Sequence, residues 1–144
     1  MTERQQVAAA AIVRGSGPDA AIFTARRTEP AHLAGGWEFP GGKVDPEDAT
    51  IEHALHRELR EEIGVEVEVL TFLEGDLEGG AWSMGEEYAL NVFVCRIVGD
   101  EEPELLEDHD EMAWVSISDP ESVAWLPVDL PPLYAAIEWI RSHL

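Results

Sequence analysis

The stretch HRELREEIGV, residues 56–65, decides how the rest of the chain is interpreted. It ends a segment, residues 51–63, in which apolar residues recur at every fourth position: Ile51, Leu55, Leu59 and Ile63. This spacing predicts an amphipathic helix with one buried stripe. Gly64 is suited to close that helix in the left-handed conformation.

The same helix carries three carboxylates beside its buried stripe, on Glu58, Glu61 and Glu62. At about 100° per residue the three fall within an arc of about 100°. Like charges at these spacings cost roughly 0.2–0.5 kcal/mol each, and Arg57 offsets only part of that cost through its i,i+4 relation to Glu61. Bound Mg²⁺ would remove the conflict, because it takes hard oxygen ligands and shares its remaining positions with substrate phosphates. On these residues alone, an ordinary solvated acidic face is an equal alternative.

The loop FPGGKV, residues 39–44, precedes this helix. Gly41 and Gly42 carry no Cβ, so the backbone there can approach a ligand closely and offer its carbonyl groups to a metal. A glycine pair after a strand more often marks only a turn. Together with the arginine and the three acids of the helix, however, it indicates a site for a metal and a phosphate chain.

The remaining hydrophobic patterns predict a mixed α/β fold in a single domain, residues 1–144. Strands are expected at residues 7–13, 20–27, 65–73, 87–98 and 112–117, and a short strand that begins at Trp37 is expected to end at Pro40 and the two glycines. An acidic loop is expected at residues 99–111, a short helix from Asp119, and an amphipathic C-terminal helix at residues 130–144.

Composition limits the classes of partner. The 144 residues have a formal charge of -21, from 30 acidic and 9 basic residues, which disfavours binding to a nucleic-acid polymer or an acidic membrane. Cys95 is the single cysteine, so no internal disulfide can form. With neither a signal peptide nor an apolar run of about 18 residues, a cytoplasmic protein is expected, either a monomer or a homodimer.

At this point the chain resembles the Nudix hydrolase family, whose box runs G-x5-E-x7-R-E-U-x-E-E-x-G-U, with U a bulky aliphatic residue. Residues 57–65 match the second half completely. The first half departs from it: Gly42 leads after five residues to Asp48, and eight residues rather than seven then precede Arg57. Counting from the preceding glycine places Glu47 correctly but leaves nine. Counted from Gly42, one extra residue is present, and the role of the outer acid, Glu47 or Asp48, stays unassigned.

Upstream, ARRTEPAHLAGGWEFPGGKV looks like the branch typified by MutT and the bacterial CTP pyrophosphohydrolases. The resemblance implies an α/β/α sandwich with a mixed sheet, one internal catalytic helix and a C-terminal helix. It also implies hydrolysis of a nucleoside triphosphate to a monophosphate and pyrophosphate, with CTP, dCTP or oxidised nucleotides such as 8-oxo-dGTP as substrates. The implied cofactor is Mg²⁺, with Mn²⁺ as a substitute.

The resemblance also assigns roles to individual residues. The metal ligands would be Gly42, Glu58, Glu61, Glu62 and Asp108, which lies six residues before Trp114. The catalytic residues would be Glu61, Glu58 and Arg57, and the substrate contacts would be Arg27 on the phosphates, His32 and Phe39 near sugar and base, and Asp129 at the base edge. Each outer assignment has a plainer alternative: Asp108 as a solvated loop acid, Arg27 as a surface arginine, Phe39 as a core residue and Asp129 as a helix cap.

Two rival functions remain open. ADP-ribose and ADP-sugar pyrophosphatases carry a proline shortly after the box, whereas LEGGAWSM, residues 77–84, has none. A catalytically silent, nucleotide-sensing module would usually lose box acids, and here Glu58, Glu61 and Glu62 are all present.

Overall fold

The computed structural model describes residues 3–107 and 109–144. Within that part, the chain forms eight strands and two α-helices. Their bounds are β1 Gln5–Arg14, β2 Ala21–Arg27, β3 Trp37–Glu38, β4 Gly41–Lys43, α1 Ile51–Ile63, β5 Val67–Leu73, β6 Trp82–Met84, β7 Tyr88–Ile97, β8 His109–Ser116 and α2 Leu130–His143.

Strand β1 is the centre of a mixed sheet. It pairs in parallel with β7 and antiparallel with β2 and β4. On one side β2 pairs with β3 and β8, and on the other β7 pairs with β5 and β6, all antiparallel. Strand β4 pairs with Val7, Ala8 and Ala9, which also pair with β7, so β4 and β7 lie on opposite edges of β1. Because β3 pairs with β2 instead, the two strands of the glycine loop have different partners in the sheet.

Both faces of β1 are buried, as its continuous apolar run predicts. Because side chains alternate along a strand, Ala8, Ala10 and Ile12 pack in the cluster that contains α1. Val7, Ala9, Ala11 and Val13 pack on the other face, in the cluster that contains Leu133 and Ile137 of α2. The predicted α/β/α sandwich is confirmed.

Helix α1 has the predicted bounds. The Thr50 side chain accepts a hydrogen bond from the His53 backbone N–H and caps its start. Gly64 ends it in the left-handed conformation, with φ 68°, and its N–H donates to the carbonyls of Leu59 and Arg60. The stripe of Leu55, Leu59 and Ile63 is fully buried.

The structure corrects the predicted elements in three places. The glycine pair lies in β4, paired with Ala8 and Ala9 of β1, rather than in a turn. Strand β8 begins inside the predicted acidic loop, and β6 had no counterpart among the predicted strands. Asp119 starts only a turn, because the chain then returns to β3, where the Trp37 N–H donates to Ala124 and the Leu126 N–H to Trp37.

Candidate active site

The glycine strand β4 lies directly beneath the acidic part of α1. A Cβ at Gly42 would lie 2.4 Å from the carboxyl carbon of Glu58, so only glycine leaves this carboxylate its present place. The Gly41 N–H donates to Glu62 Oε2 at 3.2 Å. Two of the three predicted acids are therefore held against a backbone without side chains.

The three acids do not share one solvated face, as their helical spacing suggested. Glu61 is exposed and Glu58 is partly buried, whereas Glu62 is buried at 8% exposure. Burial raises the pKa of Glu62 to about 8, with smaller upward contributions from the charges of Glu38 and Glu58. Burial also raises the pKa of Glu58, and the hydrogen bond that Glu58 accepts from Arg57 lowers it by a smaller amount. Glu62 is buried because its side of α1 faces β4, where the Gly41 N–H donates to it.

Arg57 is the hydrogen-bonding centre of the α1 acids. Its Nη1 donates to Glu58 Oε1 at 3.0 Å and to Glu61 Oε2 at 3.3 Å. Its Nη2 donates to the Lys43 carbonyl at 3.1 Å. The predicted pairing of Arg57 with Glu61 is thus observed, and a planar guanidinium suits such a multi-partner position.

Asp48 occupies the position that the sequence left open between it and Glu47. Arg57 donates to both carboxylate oxygens of Asp48, from Nε at 3.0 Å and from Nη2 at 2.8 Å. These bonds and that from the Asp45 N–H hold the pKa of Asp48 well below its usual range. His53 Nδ1 lies 3.0 Å from the same carboxylate, while Glu47 is exposed.

A second network starts on the sheet, and two of its members, Glu38 and His109, were not predicted from the sequence. Arg27 Nη1 donates to both oxygens of Glu38, at 3.1 and 3.2 Å. His109 Nε2 lies 2.9 Å from Glu38 Oε2, and its ring is within electrostatic reach of Glu62. Burial alone would lower the pKa of His109, but Glu38 and Glu62 raise it above its usual value. The available signals were the acid in WEF and the histidine after Asp108.

Asp108, the predicted fifth metal ligand, lies outside the described residues. The segment that precedes it passes the end of α1, where the Leu106 N–H donates to the Glu62 carbonyl at 3.0 Å. The role of Asp108 stays a prediction.

Asp129 is buried at the start of α2, at 5% exposure. The capping alternative is wrong, because its side chain makes no capping hydrogen bond and instead accepts one from the Phe39 N–H. Burial, and then the charge of Glu38, raise the pKa of Asp129 well above its usual value. The Asp129 side chain is therefore close to Glu38, which precedes Phe39 and also contacts His109.

The side chains of the other two predicted substrate contacts are not part of the Arg57 and Glu38 networks, although the Phe39 backbone N–H donates to Asp129. Phe39 is buried in the core and packs against Trp125, with ring centroids 5.1 Å apart. His32 is exposed in the loop between β2 and β3. Their proposed contacts with sugar and base remain untested.

The donor set fits a hard divalent cation. Carboxylate and carbonyl oxygens are the ligands that Mg²⁺ prefers, and two partly or fully buried acids need a positive charge for both to ionise. Within residues 3–107 and 109–144, no three His, Cys, Asp or Glu side chains converge as a ready-made cage. Glu58 instead turns to Arg57, and Glu62 to the Gly41 N–H. Mg²⁺ suits such an open site, because it commonly keeps water and substrate oxygens in its shell.

No α-helix in the described part of the chain is long and apolar enough to cross a membrane.

Comparison with known proteins agrees with this architecture. The NUDIX domain model matches residues 4–137. The chain is 38% identical over 125 residues to a putative 8-oxo-dGTP diphosphatase 2 of Mycobacterium tuberculosis, covering 87% of this chain and 82% of the relative. It is 32% identical over 135 residues to the CTP pyrophosphohydrolase of Escherichia coli, covering 90% and 89%.

Among solved structures, a MutT NUDIX hydrolase from Burkholderia pseudomallei superposes with a TM-score of 0.72 at 27% identity, covering 93% of this chain and 98% of that one. The fold, the intact helix half of the box and the match over nearly the whole chain lead to one assignment. The chain belongs to the Nudix hydrolase family, among relatives of the MutT type.

Proposed function

We propose that the protein is a Mg²⁺-dependent nucleoside triphosphate pyrophosphohydrolase, converting NTP or dNTP and water to the monophosphate and pyrophosphate. The observation that carries the proposal is the placement of Glu58 and Glu62 against the bare backbone of Gly41 and Gly42. The relatives named as an 8-oxo-dGTP diphosphatase and a CTP pyrophosphohydrolase support the substrate class.

An acidic site can accept a polyanionic substrate only if positive charge accompanies it. Gly42, Glu58, Glu61, Glu62 and Asp108 are the proposed metal ligands. When bound, Mg²⁺ neutralises phosphate charge and stabilises the charge that develops during phosphoryl transfer. Arg27 adds a guanidinium at the edge of the site, and the side chain is partly exposed.

The protein groups then orient the acids and move a proton. Arg57 holds Glu58 and Glu61 through one nitrogen and is itself fixed by Asp48. Water attacks a phosphorus atom of the phosphate chain, and the bond from that phosphorus to its bridging oxygen breaks. One of the α1 acids or Asp108 accepts the proton of the attacking water.

Asp129 is the proposed contact to the base edge. The sequence suggested a carboxylate that accepts from an exocyclic amino group. Its burial changes this expectation, because a protonated carboxyl offers both a donor and an acceptor.

Pyrophosphate release from a panel of triphosphates with Mg²⁺ tests the proposal. The panel should contain CTP, dCTP, dGTP and 8-oxo-dGTP, with ADP-ribose as the diphosphate-linked rival. Glu61→Gln should lower kcat by at least about 100-fold, as expected for loss of a metal ligand or general base. Glu52→Gln, an exposed acid on the opposite side of the same helix, should leave kcat within about twofold.

Three results would contradict the proposal. Hydrolysis of ADP-ribose but of no triphosphate would favour the sugar-linked class. No hydrolysis of any nucleotide by the parent would favour a nucleotide-sensing module. Equal activity of the parent and the Glu61→Gln variant would remove Glu61 from the metal site.

A further inference from the structure

Glu38 is held between two donors from adjacent strands. Strand β2 pairs with both β3 and β8, which places Arg27 opposite His109 and brings Glu38 of β3 alongside. Arg27 binds the Glu38 carboxylate from one side and His109 Nε2 from the other, at 2.9 Å. The Glu38 side chain is 17% exposed and the His109 side chain only 2% exposed. The histidine is therefore an internal partner of Glu38 and is almost inaccessible to solvent.

The His109 ring is fixed at both of its nitrogen atoms. Nδ1 lies 3.1 Å from the carbonyl oxygen of Glu107, which can only accept, so Nδ1 carries a hydrogen. The contact between Nε2 and Glu38 Oε2 needs one further proton between the two atoms. The ring therefore links the Glu107 carbonyl, which precedes β8, to the Glu38 carboxylate.

Glu38 lies between the two halves of the site. Its charge acts on Glu62 on the metal side and on Asp129 on the base side. Its other partner, Arg27, has its Nε anchored on the Glu29 carbonyl at 2.9 Å, which leaves the terminal nitrogen atoms to bind anions. A substrate phosphate near Arg27 would compete with Glu38 for those donors.

We propose that His109 is a positioning residue of the active site: it retains Glu38 when Arg27 exchanges that carboxylate for a substrate phosphate. The proposal rests on the proposed function, because it requires a phosphate chain at Arg27. Without His109, binding of phosphate to Arg27 leaves a largely buried carboxylate without its donors, which opposes substrate binding. The effect should therefore fall on KM more than on kcat.

Two isosteric variants separate this role from a merely structural one. The side-chain amide of His109→Gln replaces Nε2 and keeps a donor for Glu38. That of His109→Asn replaces Nδ1 and keeps only the bond to the Glu107 carbonyl. We expect a KM for the best triphosphate within about threefold of the parent in His109→Gln, and about tenfold higher in His109→Asn and His109→Ala, with kcat changed less. His143→Ala, an exposed histidine of α2, is the control and should leave KM unchanged.

A double-mutant cycle with Glu38→Gln tests whether the effect passes through Glu38. In that background, which removes the charge, His109→Asn should change KM by less than about twofold. Equal KM effects in both backgrounds, equal KM values for the Gln and Asn variants, or a fall in Tm without a kinetic change would each overturn the proposal. If only the His109 proposal fails, the parent protein still hydrolyses triphosphates. If the proposed function fails, the parent protein itself is inactive on triphosphates.

Discussion

At the scale of single residues, Asp48 is the feature in which this chain departs most from the Nudix box. An aspartate is one methylene shorter than the usual glutamate, and the chain before Arg57 is one residue longer. In the structure Asp48 nevertheless reaches Arg57 with both oxygens, at 2.8 and 3.0 Å. We expect the two departures to compensate for one another, because the bidentate geometry of the pair depends on the distance between backbone and guanidinium.

A length swap tests this compensation. Asp48→Glu alone places a longer acid in the longer loop and should lower kcat about tenfold, because Arg57 then no longer holds Glu58 and Glu61 in place. Combining Asp48→Glu with deletion of Ala49 restores the family spacing and should recover most of the activity. The measurement is the kcat of the two variants by steady-state kinetics. Full activity of Asp48→Glu by itself would contradict the compensation.

At the scale of elements, the site depends on how α1 lies over β4. The cap at Thr50, the buried stripe and Gly64 fix the helix, and the register of β4 on β1 fixes the two glycines. Glu58 and Glu62 then project toward a strand that has no side chains to exclude them. The crowded acids near the end of α1 repel one another, and hydrogen-bond donors from β4 and from Arg57 offset part of that repulsion.

Alanine at the two glycines should have different effects. At Gly41, with φ 151°, a Cβ would lie 2.0 Å from the backbone oxygen of Ala8, so Gly41→Ala should destabilise the fold and lower Tm strongly. At Gly42 the three atoms nearest to the added Cβ would all belong to the flexible end of the Glu58 side chain. Gly42→Ala should therefore stay folded, yet lose about 100-fold in kcat as Glu58 is displaced.

Thermal unfolding, Mg²⁺ titration calorimetry and kinetics on both variants provide the measurement. A Gly42→Ala protein with parent-like Mg²⁺ affinity and activity would show that Glu58 does not need its present position.

At the scale of the whole molecule, a sandwich with a formal charge of -21 keeps several acids buried at one site. Glu62 of α1 and Asp129, which directly precedes α2, are both buried, and the charge of Glu38 acts on both. Burial thus disfavours the ionised forms of these acids, and a bound cation would favour them. This arrangement should make stability depend on pH and on Mg²⁺.

The sign of that dependence follows from the pKa of Glu62, which burial raises to about 8. The folded state keeps a proton that the unfolded chain releases above its ordinary pKa, so this contribution is complete at low pH. It is lost as pH rises toward about 8, at up to about 1.4 kcal/mol per pH unit. The raised pKa values of Glu58 and Asp129 act in the same direction. The lowered pKa of Asp48 contributes a constant amount above its unfolded pKa.

Urea unfolding in EDTA between about pH 5 and pH 8 should therefore show stability falling as pH rises. Mg²⁺ favours the ionised carboxylates and should reduce the fall, and Glu62→Gln should flatten the EDTA curve. A Glu62→Gln protein with the same slope as the parent would contradict a buried, protonated Glu62.

The sequence by itself determined the mixed α/β class, the bounds of α1 and the set of metal-binding candidates, because hydrophobic periodicity, the closing glycine and motif spacing are local properties of the chain; the α/β/α layer order was implied by the family resemblance. It did not determine that Glu62 is buried, that Asp48 rather than Glu47 holds Arg57, or that Glu38 and His109 join the site. Those facts depend on which strands lie side by side: Glu38 and His109 are 71 positions apart and meet only through β2. Burial and long-range pairing are properties of the packed molecule, so only the tertiary structure decided them.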